Sequence, residues 1–530
     1  MFGSLFGIKK KQEVHPVSTE AGLDALLQQM PREDANFLGA VDDWLEDIPK
    51  LVNEIGLDAC LRAALRFDQA TRQVVSSLLR DYLNPESDRH LSKFIQAKLG
   101  THAEKLCNVY SMVVRGNETS SATTANNGNG NLSPGLMKAV GLEYFRVLGL
   151  GFRLVKFRYR KPGPESWHQA HAMLRHLTVH AGASNGSSSA KDVRDEIFRE
   201  YLKIVCLALV PMNNMSPQQL EFVARMLAGA QDIECLAEPG ADTTHLIDIS
   251  TDVGPIPYKP DYWATDGAIL FYLSVSSLRV VVQKFHEALE KNVPLPKDFA
   301  TLPINRSQVA GVLSALNSHW ANEPPNRCSD RIGAIEAMRG AFGFNPALHL
   351  VEITQKAYSD GPIEDPHSDL LNRLWRLEEQ IDKPKFEDWI QIDGNDDGVG
   401  VSIPTILSQH VAGSLVSMRY ADEPGWHLGI VRRVGVDKDG GPRLGLRTFP
   451  GSPRIVQITL AEPADPTSGT DTGIRAIAFD PCNNQLLIPT GTYVESLKMS
   501  FTLNSIKRSV YLIRLIESGP DFELVEYADE

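Results

Sequence analysis

Two short polar patterns in the second half of the chain combine residue types that can bind nucleotides. The first is Arg327-Cys-Ser-Asp-Arg331, and the second is Asp393-Gly-Asn-Asp-Asp-Gly398. A guanidinium can chelate the O6 and N7 atoms of guanine, stack on a purine or pair with a phosphate. A carboxylate accepts N–H groups from a base edge, and a glycine lets a ligand approach the backbone closely. The R-x-x-x-R spacing also occurs twice elsewhere in the chain, so spacing alone is weak evidence.

A histidine-rich run raises the possibility of a zinc site. It contains His168, His171, His176 and His180. Only the last two share a helix face, and zinc needs three convergent protein ligands, so we expect an ordinary polar helix face. The segment that begins at Asp393 resembles the start of a calcium-binding loop. Its twelfth position is Pro404, where a bidentate glutamate is required, so we expect no metal site there either.

Missing motifs remove several common enzyme classes. The chain has no G-x-x-x-x-G-K-[ST] phosphate loop, no G-x-G-x-x-G that opens a helix after a strand, and no G-x-S-x-G elbow. The usual phosphoryl-transfer, dinucleotide-dependent and α/β-hydrolase sites are therefore excluded. We expect a non-catalytic protein, with an enzyme of unrecognised type as the least favoured alternative.

Size and charge limit the class of protein. A chain of 530 residues exceeds one ordinary core, which predicts two or three domains. A formal net charge of -13 disfavours binding to DNA, RNA or an anionic membrane, although a local basic pocket can persist. Six widely spaced cysteines without C-x-x-C suit a reducing compartment. We find no signal peptide and no membrane span, and we expect a cytoplasmic protein without a cofactor.

The first part of the chain has the spacing of helices. Residues 1–17 are predicted as a tail, and residues 18–325 as a mainly helical region. Within it, Asn117–Pro134 is rich in Ser, Thr, Asn and Gly, which predicts a flexible loop. The β-branched run Thr243–Thr251 interrupts the helical pattern. Further helices are expected at Gly267–Lys291 and Gln308–Trp320.

From about residue 390 the pattern changes to short alternating runs between Gly, Pro, Asn and Asp clusters. Evenly spaced short strands are typical of an antiparallel barrel or sandwich. The predicted strands are Ser414–Tyr420, Trp426–Val436, Arg443–Phe449, Arg454–Leu460, Ile474–Phe479, Gln485–Pro489, Leu497–Leu503, Arg508–Ile516 and Phe522–Glu526. The sequence thus predicts a multidomain α+β protein with a mainly α-helical N-terminal region and a β-rich domain over residues 326–530.

The β-rich part resembles a PilZ domain, the bacterial receptor module for cyclic di-GMP. That family carries R-x-x-x-R on its N-terminal segment and [D/N]-x-S-x-x-G on an antiparallel β-barrel. The two polar patterns match these motifs, with Asn395 in place of the serine. Ile430-Val-Arg-Arg433 and Leu444–Phe449 resemble a later strand pair of the family. Because 61 residues separate Arg331 from Asp393, we expect an insertion or additional strands between them.

The resemblance implies a ligand and a set of residues that bind it. These candidate residues are Arg327, Arg331, Asp393, Asn395, Gly398, Arg432 and Arg433. By the resemblance, the first two arginines hold phosphates and guanine faces, Asp393 and Asn395 read a base edge, and Gly398 shapes the turn. Since strand residues alternate, Val431 should face the core while Arg432 faces solvent or the ligand.

The leading hypothesis is a cyclic di-GMP-responsive effector. The dinucleotide would bind between the helical region and the barrel, shift one against the other, and so couple binding to an unidentified protein partner. The alternative is a degenerate PilZ-like scaffold that binds proteins but no nucleotide. The helical region shows no familiar catalytic constellation, and we expect a partner-binding or regulatory role for it.

Overall fold

The computed structural model describes residues 15–84, 87, 89–114, 132–182, 188–230, 233–321, 332–359, 368–379, 385–395, 398–407, 409–421, 423, 425–437, 439–460, 473–480 and 484–530. A helical part precedes antiparallel sheets that close into barrels, which confirms the predicted α+β class. Arg327 and Arg331 lie outside the described residues, as do residues 1–14 of the predicted tail and residues 117–131 of the predicted loop.

The helical part has one apolar core to which all of its long helices contribute. The helices are α1 (Glu20–Gln29), α2 (Asp34–Ile55), α3 (Leu57–Leu83), α4 (Arg89–Tyr110), α5 (Pro134–Lys156), α6 (Pro164–Gly182), α7 (Ser188–Ala208), α8 (Pro217–Ala228), α9 (Ser276–Glu290) and α10 (Arg306–His319). No helix of the described part combines the length and apolarity needed to cross a bilayer.

Two predicted boundaries in this region are wrong for local reasons. Val17, placed in the tail, is buried in the helical core within a short 3-10 turn. Ser133 and Pro134, placed in the flexible loop, begin α5. The Ser133 hydroxyl accepts a hydrogen bond from Leu136 N, and Pro134 occupies the first turn. A serine N-cap followed by proline is a helix-start signal. The polar composition of the whole segment led to its assignment as a loop.

A small sheet covers part of the helical core. Its strands are β1 (Cys235–Leu236), β2 (His245–Asp248), β3 (Ile256–Pro257) and β4 (Leu270–Leu273), in the order β1-β4-β2-β3. The helix predicted from Gly267 therefore starts only at Ser276, because residues 270–273 pair with β2 instead. A short apolar run does not distinguish a strand from a helix by its spacing.

The sheet also corrects the prediction for the histidine-rich run. His171 is fully buried, with Nδ1 2.6 Å from the Thr251 carbonyl oxygen, whereas a polar surface face was expected. His168 pairs with Asp252 at 2.7 Å. Both histidines thus attach α6 to the loop that follows β2. Among the described residues, no group of three His, Cys, Asp or Glu side chains is arranged to hold a metal ion.

The first barrel is closed by six strands. They are β5 (Ile332–Phe342), β6 (Glu387–Asn395), β7 (Gly398–Ser402), β8 (Leu415–Tyr420), β9 (His427–Val436) and β10 (Pro442–Thr448), in the order β10-β7-β6-β5-β8-β9. Helices α11 (Phe344–Ser359) and α12 (Ser368–Glu379) lie between β5 and β6 along the chain. Among the described residues, β5, α11, α12 and the first part of β6 thus occupy the long spacing between the two polar patterns.

A second barrel of six strands follows directly. Its strands are β11 (Ser452–Leu460), β12 (Ile474–Asp480), β13 (Gln485–Pro489), β14 (Lys498–Leu503), β15 (Ile506–Ser518) and β16 (Phe522–Asp529), in the order β11-β12-β13-β16-β15-β14. The nine predicted strands are all present, but they divide between two barrels where the sequence suggested one. Alternation locates strands, whereas their partners depend on closure of the sheet.

The two barrels share an apolar interface. Val431 and Val434 of β9 lie in the core of the first barrel. Leu428 and Ile430 of the same strand belong instead to a cluster formed with α11, β12 and β16, which includes Phe479. Because the part of β9 from Leu428 to Val431 is buried on both faces, the two barrels and α11 pack as a single unit. The burial of Val431 confirms its predicted inward orientation.

The helical region contacts the barrels at defined points. Tyr159, just after α5, is buried in the core cluster of the first barrel although its φ is +57°. A tyrosine in the left-handed region costs free energy, so this packing must stabilise it. Asn213 lies against Gly435 of β9, and Asn305 Nδ2 donates to Ser518 Oγ at 3.3 Å. A movement of β9 would therefore change its contacts with the helical region.

Val431→Asp should destabilise the first barrel strongly, because it buries an unpaired carboxylate. We expect the free energy of unfolding to fall by about 3 kcal/mol or more. Val436→Asp, at a position on the same strand whose side chain is exposed, should change it by less than about 1 kcal/mol. Urea denaturation followed by tryptophan fluorescence measures both. Similar small losses for the two variants would show that the inward orientation is misassigned.

Lys156 gives the helical region a specific pH dependence. Its buried Nζ donates to the carbonyl oxygens of Ala208 and Val210 at 3.3 and 2.9 Å. Burial, assisted by the charge of Lys161, lowers the pKa of Lys156 from 10.5 to about 7. The unfolded chain therefore binds more protons between these pKa values, and the stability contribution rises with pH across this window.

Lys156→Met should remove this pH dependence. Between about pH 7 and pH 9.5, wild type should gain on the order of 3 kcal/mol relative to the variant. Thermal unfolding of both proteins across this range provides the measurement. Lys50→Met, at an exposed lysine, is the matched control and should follow the wild-type pH profile. Parallel profiles for wild type and Lys156→Met would contradict the lowered pKa.

Candidate functional site

The second polar pattern lies at one end of the first barrel, beside the residue that follows the first pattern in the sequence. Asn395 and Gly398 pair at the end of the β6–β7 hairpin, and Gly394 pairs with Ile332 at the start of β5. Ile332 and Gly394, which are 62 positions apart in the sequence, thus meet through strand pairing.

Four paired residues form a row across the outward side of this barrel, and the middle two are glycines. Asp393 pairs with Gly400, Gly400 with Gly445, and Gly445 with Arg433. Directly opposed residues face the same side of a sheet. Val399 and Val401 lie in the barrel core, so Gly400 between them faces outward. The two glycines leave a flat floor between Asp393 and Arg433, which are three strand spacings, or roughly 14 Å, apart.

A second outward row runs beside this floor. Asn395 pairs with Gly398, Gly398 with Arg447, and Arg447 with Ile430. A Cβ atom at Gly398 would lie 2.1 Å from the Leu446 carbonyl oxygen, so no larger residue fits between the strands. The role expected for Gly398 was to shape a turn; the structure adds a close approach of two backbones.

A β-bulge orients the two arginines of β9. Arg433 pairs with Gly445 and Val431 with Leu446, which leaves Arg432 as the additional residue. A bulge shifts the alternation of side chains, and here Arg432 and Arg433 both lie outside the barrel core. A Cβ at Gly445 would lie 3.3 Å from the Arg433 Cβ, which places the Arg433 side chain beside the glycine floor.

Arg432 is held by the second barrel. Its Nη1 and Nη2 atoms donate to the two carboxylate oxygens of Glu517 on β15, at 2.5 and 2.6 Å. Arg447 Nη2 donates to the same carboxylate at 3.2 Å. Burial and the nearby Arg432 charge lower the pKa of Arg447, and Glu517 opposes this shift. One carboxylate from the second barrel therefore positions two arginines beside the floor of the first.

Sequence reasoning missed Arg447, Gly400, Gly445 and Glu517. The signal for the glycines was present: Gly398-Val-Gly400-Val and Leu444-Gly445-Leu446 place glycine at alternate strand positions, which leaves one face without side chains. Arg447 follows Gly445 by two and shares that face. Glu517 carried no signal, because it reaches the site only through the contact between barrels.

The geometry suits a planar, anionic ligand. The floor carries no side chains, with Gly400 buried and Gly445 half-buried, and Asp393 and Asn395 lie at one edge as hydrogen-bonding groups. Arg433 and Arg447 lie on the other side, where guanidinium groups can pair with phosphate. Arg327 and Arg331 precede the strand that adjoins the acidic edge.

A separate cavity of about 690 Å³ lies on the other side of this barrel. Its charged lining residues are Arg339, Arg419, Glu378 and Asp388, which are two cationic and two acidic side chains. Arg419 is buried and pairs with Glu378 at 2.7 Å. The cavity is thus electrically balanced, and it offers less to an anionic ligand than the glycine floor.

A histidine in the helical region resembles part of a catalytic triad. His102 Nδ1 lies 2.6 Å from Asp42 Oδ1, and His102 Nε2 lies 3.1 Å from Thr71 Oγ1. A triad nucleophile must reach its substrate. Thr71 is fully buried and also bonds the carbonyl oxygens of Phe67 and Asp68, so its hydroxyl is not accessible. The arrangement is a buried polar network that links three helices.

The ion pair between Arg432 and Glu517 should couple the two barrels. In a double-mutant cycle with Arg432→Ala and Glu517→Ala, we expect a coupling energy of about 1 kcal/mol, since both side chains are only partly exposed. Glu517→Ala alone should cost more than Arg432→Ala, because it leaves two arginines facing each other. The more exposed pair Arg514 and Glu526 within the second barrel should couple more weakly. Equal coupling in the two cycles would argue against a special role for Glu517.

Comparison with known proteins identifies part of the helical region. Residues 21–233 match the family model described as "Cyclic-di-GMP receptor FimW, N-terminal domain". No curated protein matches the chain. The match covers about two fifths of the chain and begins and ends within the helical part, before the barrels. The helical region, which the sequence left unassigned, is therefore similar to the N-terminal domain of a family of cyclic di-GMP receptors.

Proposed function

We propose that the chain is a non-catalytic, cytoplasmic effector that binds cyclic di-GMP on the first barrel and couples binding to a protein partner. The observation that carries this proposal is the pairing of Gly394, within the D-x-N-x-x-G pattern, with Ile332, the residue that follows the R-x-x-x-R pattern in the sequence. The similarity of residues 21–233 to the N-terminal domain of a cyclic di-GMP receptor supports it independently.

In this proposal the glycine floor receives a guanine base. Asp393 accepts hydrogen bonds from the N1–H and N2–H₂ groups of guanine, and Asn395 contacts the same edge. Arg327 and Arg331 hold phosphates and the outer purine face, while Arg433 pairs with the remaining phosphate. Gly398 keeps β7 and β10 close enough for the floor to remain flat.

Arg432 provides a route from the ligand to the rest of the protein. A phosphate beside β9 would compete with Glu517 for the Arg432 guanidinium, which would weaken the contact between barrels. The same strand touches the helical region where Gly435 meets Asn213. Ligand binding would thus change the position of the helical region against the barrels and alter the surface presented to a partner.

Calorimetric titration with cyclic di-GMP tests the ligand and its residues. Arg327→Ala and Arg331→Ala should each weaken binding roughly ten- to a hundredfold, since a charge-assisted arginine contact contributes on the order of 1.5–3 kcal/mol. Asp393→Ala should weaken binding and reduce discrimination against cyclic di-AMP, which lacks both guanine donors. Thermal unfolding of each variant separates these effects from loss of fold.

Matched controls define what would contradict the proposal. Arg62→Ala and Arg66→Ala change an R-x-x-x-R pair in α3 that pairs with Asp58 and Asp24, and they should bind like wild type. Asp388→Ala changes an exposed carboxylate on β6 outside the floor. Equal binding by wild type and the Arg327, Arg331 and Asp393 variants would show that these residues are wrongly assigned.

The alternative function is a scaffold in which the barrels bind proteins and no nucleotide. One observation favours it: Arg432 and Arg447 already share the carboxylate of Glu517, so two of the arginines beside the floor are engaged without a ligand. Absence of heat with millimolar cyclic di-GMP for the wild-type chain would favour the scaffold and reject the receptor.

A further inference from the structure

The helical region contains a cationic groove. Its residues are distant in sequence from those of the glycine floor. Its volume is about 500 Å³, and it lies between α3, α4, α5, α8 and the segment 297–301. The cationic side chains that line it are Arg72, Arg80, Arg146, Arg153, Arg225 and Lys297. Three acidic side chains line it, Asp68, Glu221 and Asp298. Glu143, beside the groove, pairs with Arg72 and Arg146, so six cations still exceed four carboxylates. A local excess of positive charge in a chain of net charge -13 needs a physical reason.

Buried carboxylates hold several of these arginines in place. Glu221 is 1% exposed, and both of its oxygens accept from Arg153 Nη1 at 2.9 Å, while one also accepts from Arg225 Nε at 2.9 Å. Asp68 is also buried, and it accepts from Arg146 and from the Tyr110 hydroxyl. A buried carboxylate is costly unless it is paired, so these two residues fix the guanidinium groups at the groove wall.

The arrangement leaves hydrogen-bond donors unused. A guanidinium has five N–H donors, and within the described residues Arg153 uses only those of Nη1 and Arg225 only those of Nε and Nη1. Arg80 and Lys297 are exposed at the groove and form no ion pair with any described residue. Spare donors and unpaired cations therefore line one open groove.

The bottom of the groove is apolar. Val75 and Leu79 of α3, Leu106 of α4, and Val147 and Leu150 of α5 contribute to it. Ligand sites for small molecules commonly have volumes of about 300–1,000 Å³ and combine apolar walls with a few placed polar groups. The groove has this size and composition, and its charged lining side chains are six cationic and three acidic.

We propose that this groove binds a small organic phosphate that carries two or more negative charges. Arginine suits this ligand, because its planar fork donates two parallel N–H···O bonds to a phosphate. The apolar bottom would accommodate the organic part. The site is formed by residues of the helical region alone, so this inference does not depend on a ligand at the glycine floor.

Titration of the full chain with inorganic pyrophosphate at constant ionic strength tests the groove. Arg80→Ala and Lys297→Ala remove exposed cations without disturbing the buried carboxylates, and each should weaken binding roughly tenfold. Arg62→Ala is the matched control, because Arg62 is an exposed arginine of the same helix outside the groove. It should leave the affinity unchanged, and all three variants should unfold at the wild-type temperature.

A parallel titration with cyclic di-GMP distinguishes the source of the phosphate. If cyclic di-GMP displaces pyrophosphate, and the Arg80 and Lys297 variants also bind cyclic di-GMP more weakly, the dinucleotide is the groove ligand. If only pyrophosphate responds to these variants, another organic phosphate is the ligand, and the groove is supported in both cases. Absence of heat with millimolar pyrophosphate, or equal binding by all variants, overturns the proposal. Weaker binding of cyclic di-GMP by the Arg327→Ala and Arg331→Ala variants would then still support the barrel site.

Discussion

The first half of strand β9, from Leu428 to Val431, is buried on both faces, and the rest of the barrel region depends on this constraint. Its inward valines complete the core of the first barrel, while Leu428 and Ile430 form the contact with α11 and the second barrel. A strand with two apolar faces has no side for charged residues. The bulge at Arg432 shifts the alternation of side chains, so that two adjacent arginines both lie outside the core.

Carboxylates from elsewhere in the fold position the arginines at both candidate sites. Glu517 of the second barrel holds Arg432 and Arg447 beside the glycine floor, and Glu221 holds Arg153 and Arg225 at the groove. An arginine that is already oriented loses less side-chain entropy when a phosphate binds. The same carboxylates offset part of the positive charge, which keeps these surfaces compatible with an acidic protein.

The two sites differ in how they connect to the rest of the molecule. The glycine floor lies on a strand that touches both the second barrel and Asn213 of the helical region, so a ligand there can influence three parts of the fold. The groove lies within the helical core and is formed by helices that pack tightly on one another. Tyr159, buried in the core cluster of the first barrel despite its positive φ, is one contact through which the two regions constrain each other.

Local sequence patterns determined the α+β class, the nine strands, the inward orientation of Val431 and the candidate residues Asp393, Asn395 and Gly398, because periodicity and turn composition depend on neighbours in the chain. The helix-start signal at Ser133 was also local, but its polar surroundings concealed it. Only the tertiary structure decided that the strands form two barrels, that Gly400 and Gly445 form a floor, and that Glu517 holds Arg432. The groove arose from five segments between residues 68 and 301. Strand partners and converging side chains are set by closure and packing over long separations, which a pattern of adjacent residues does not record.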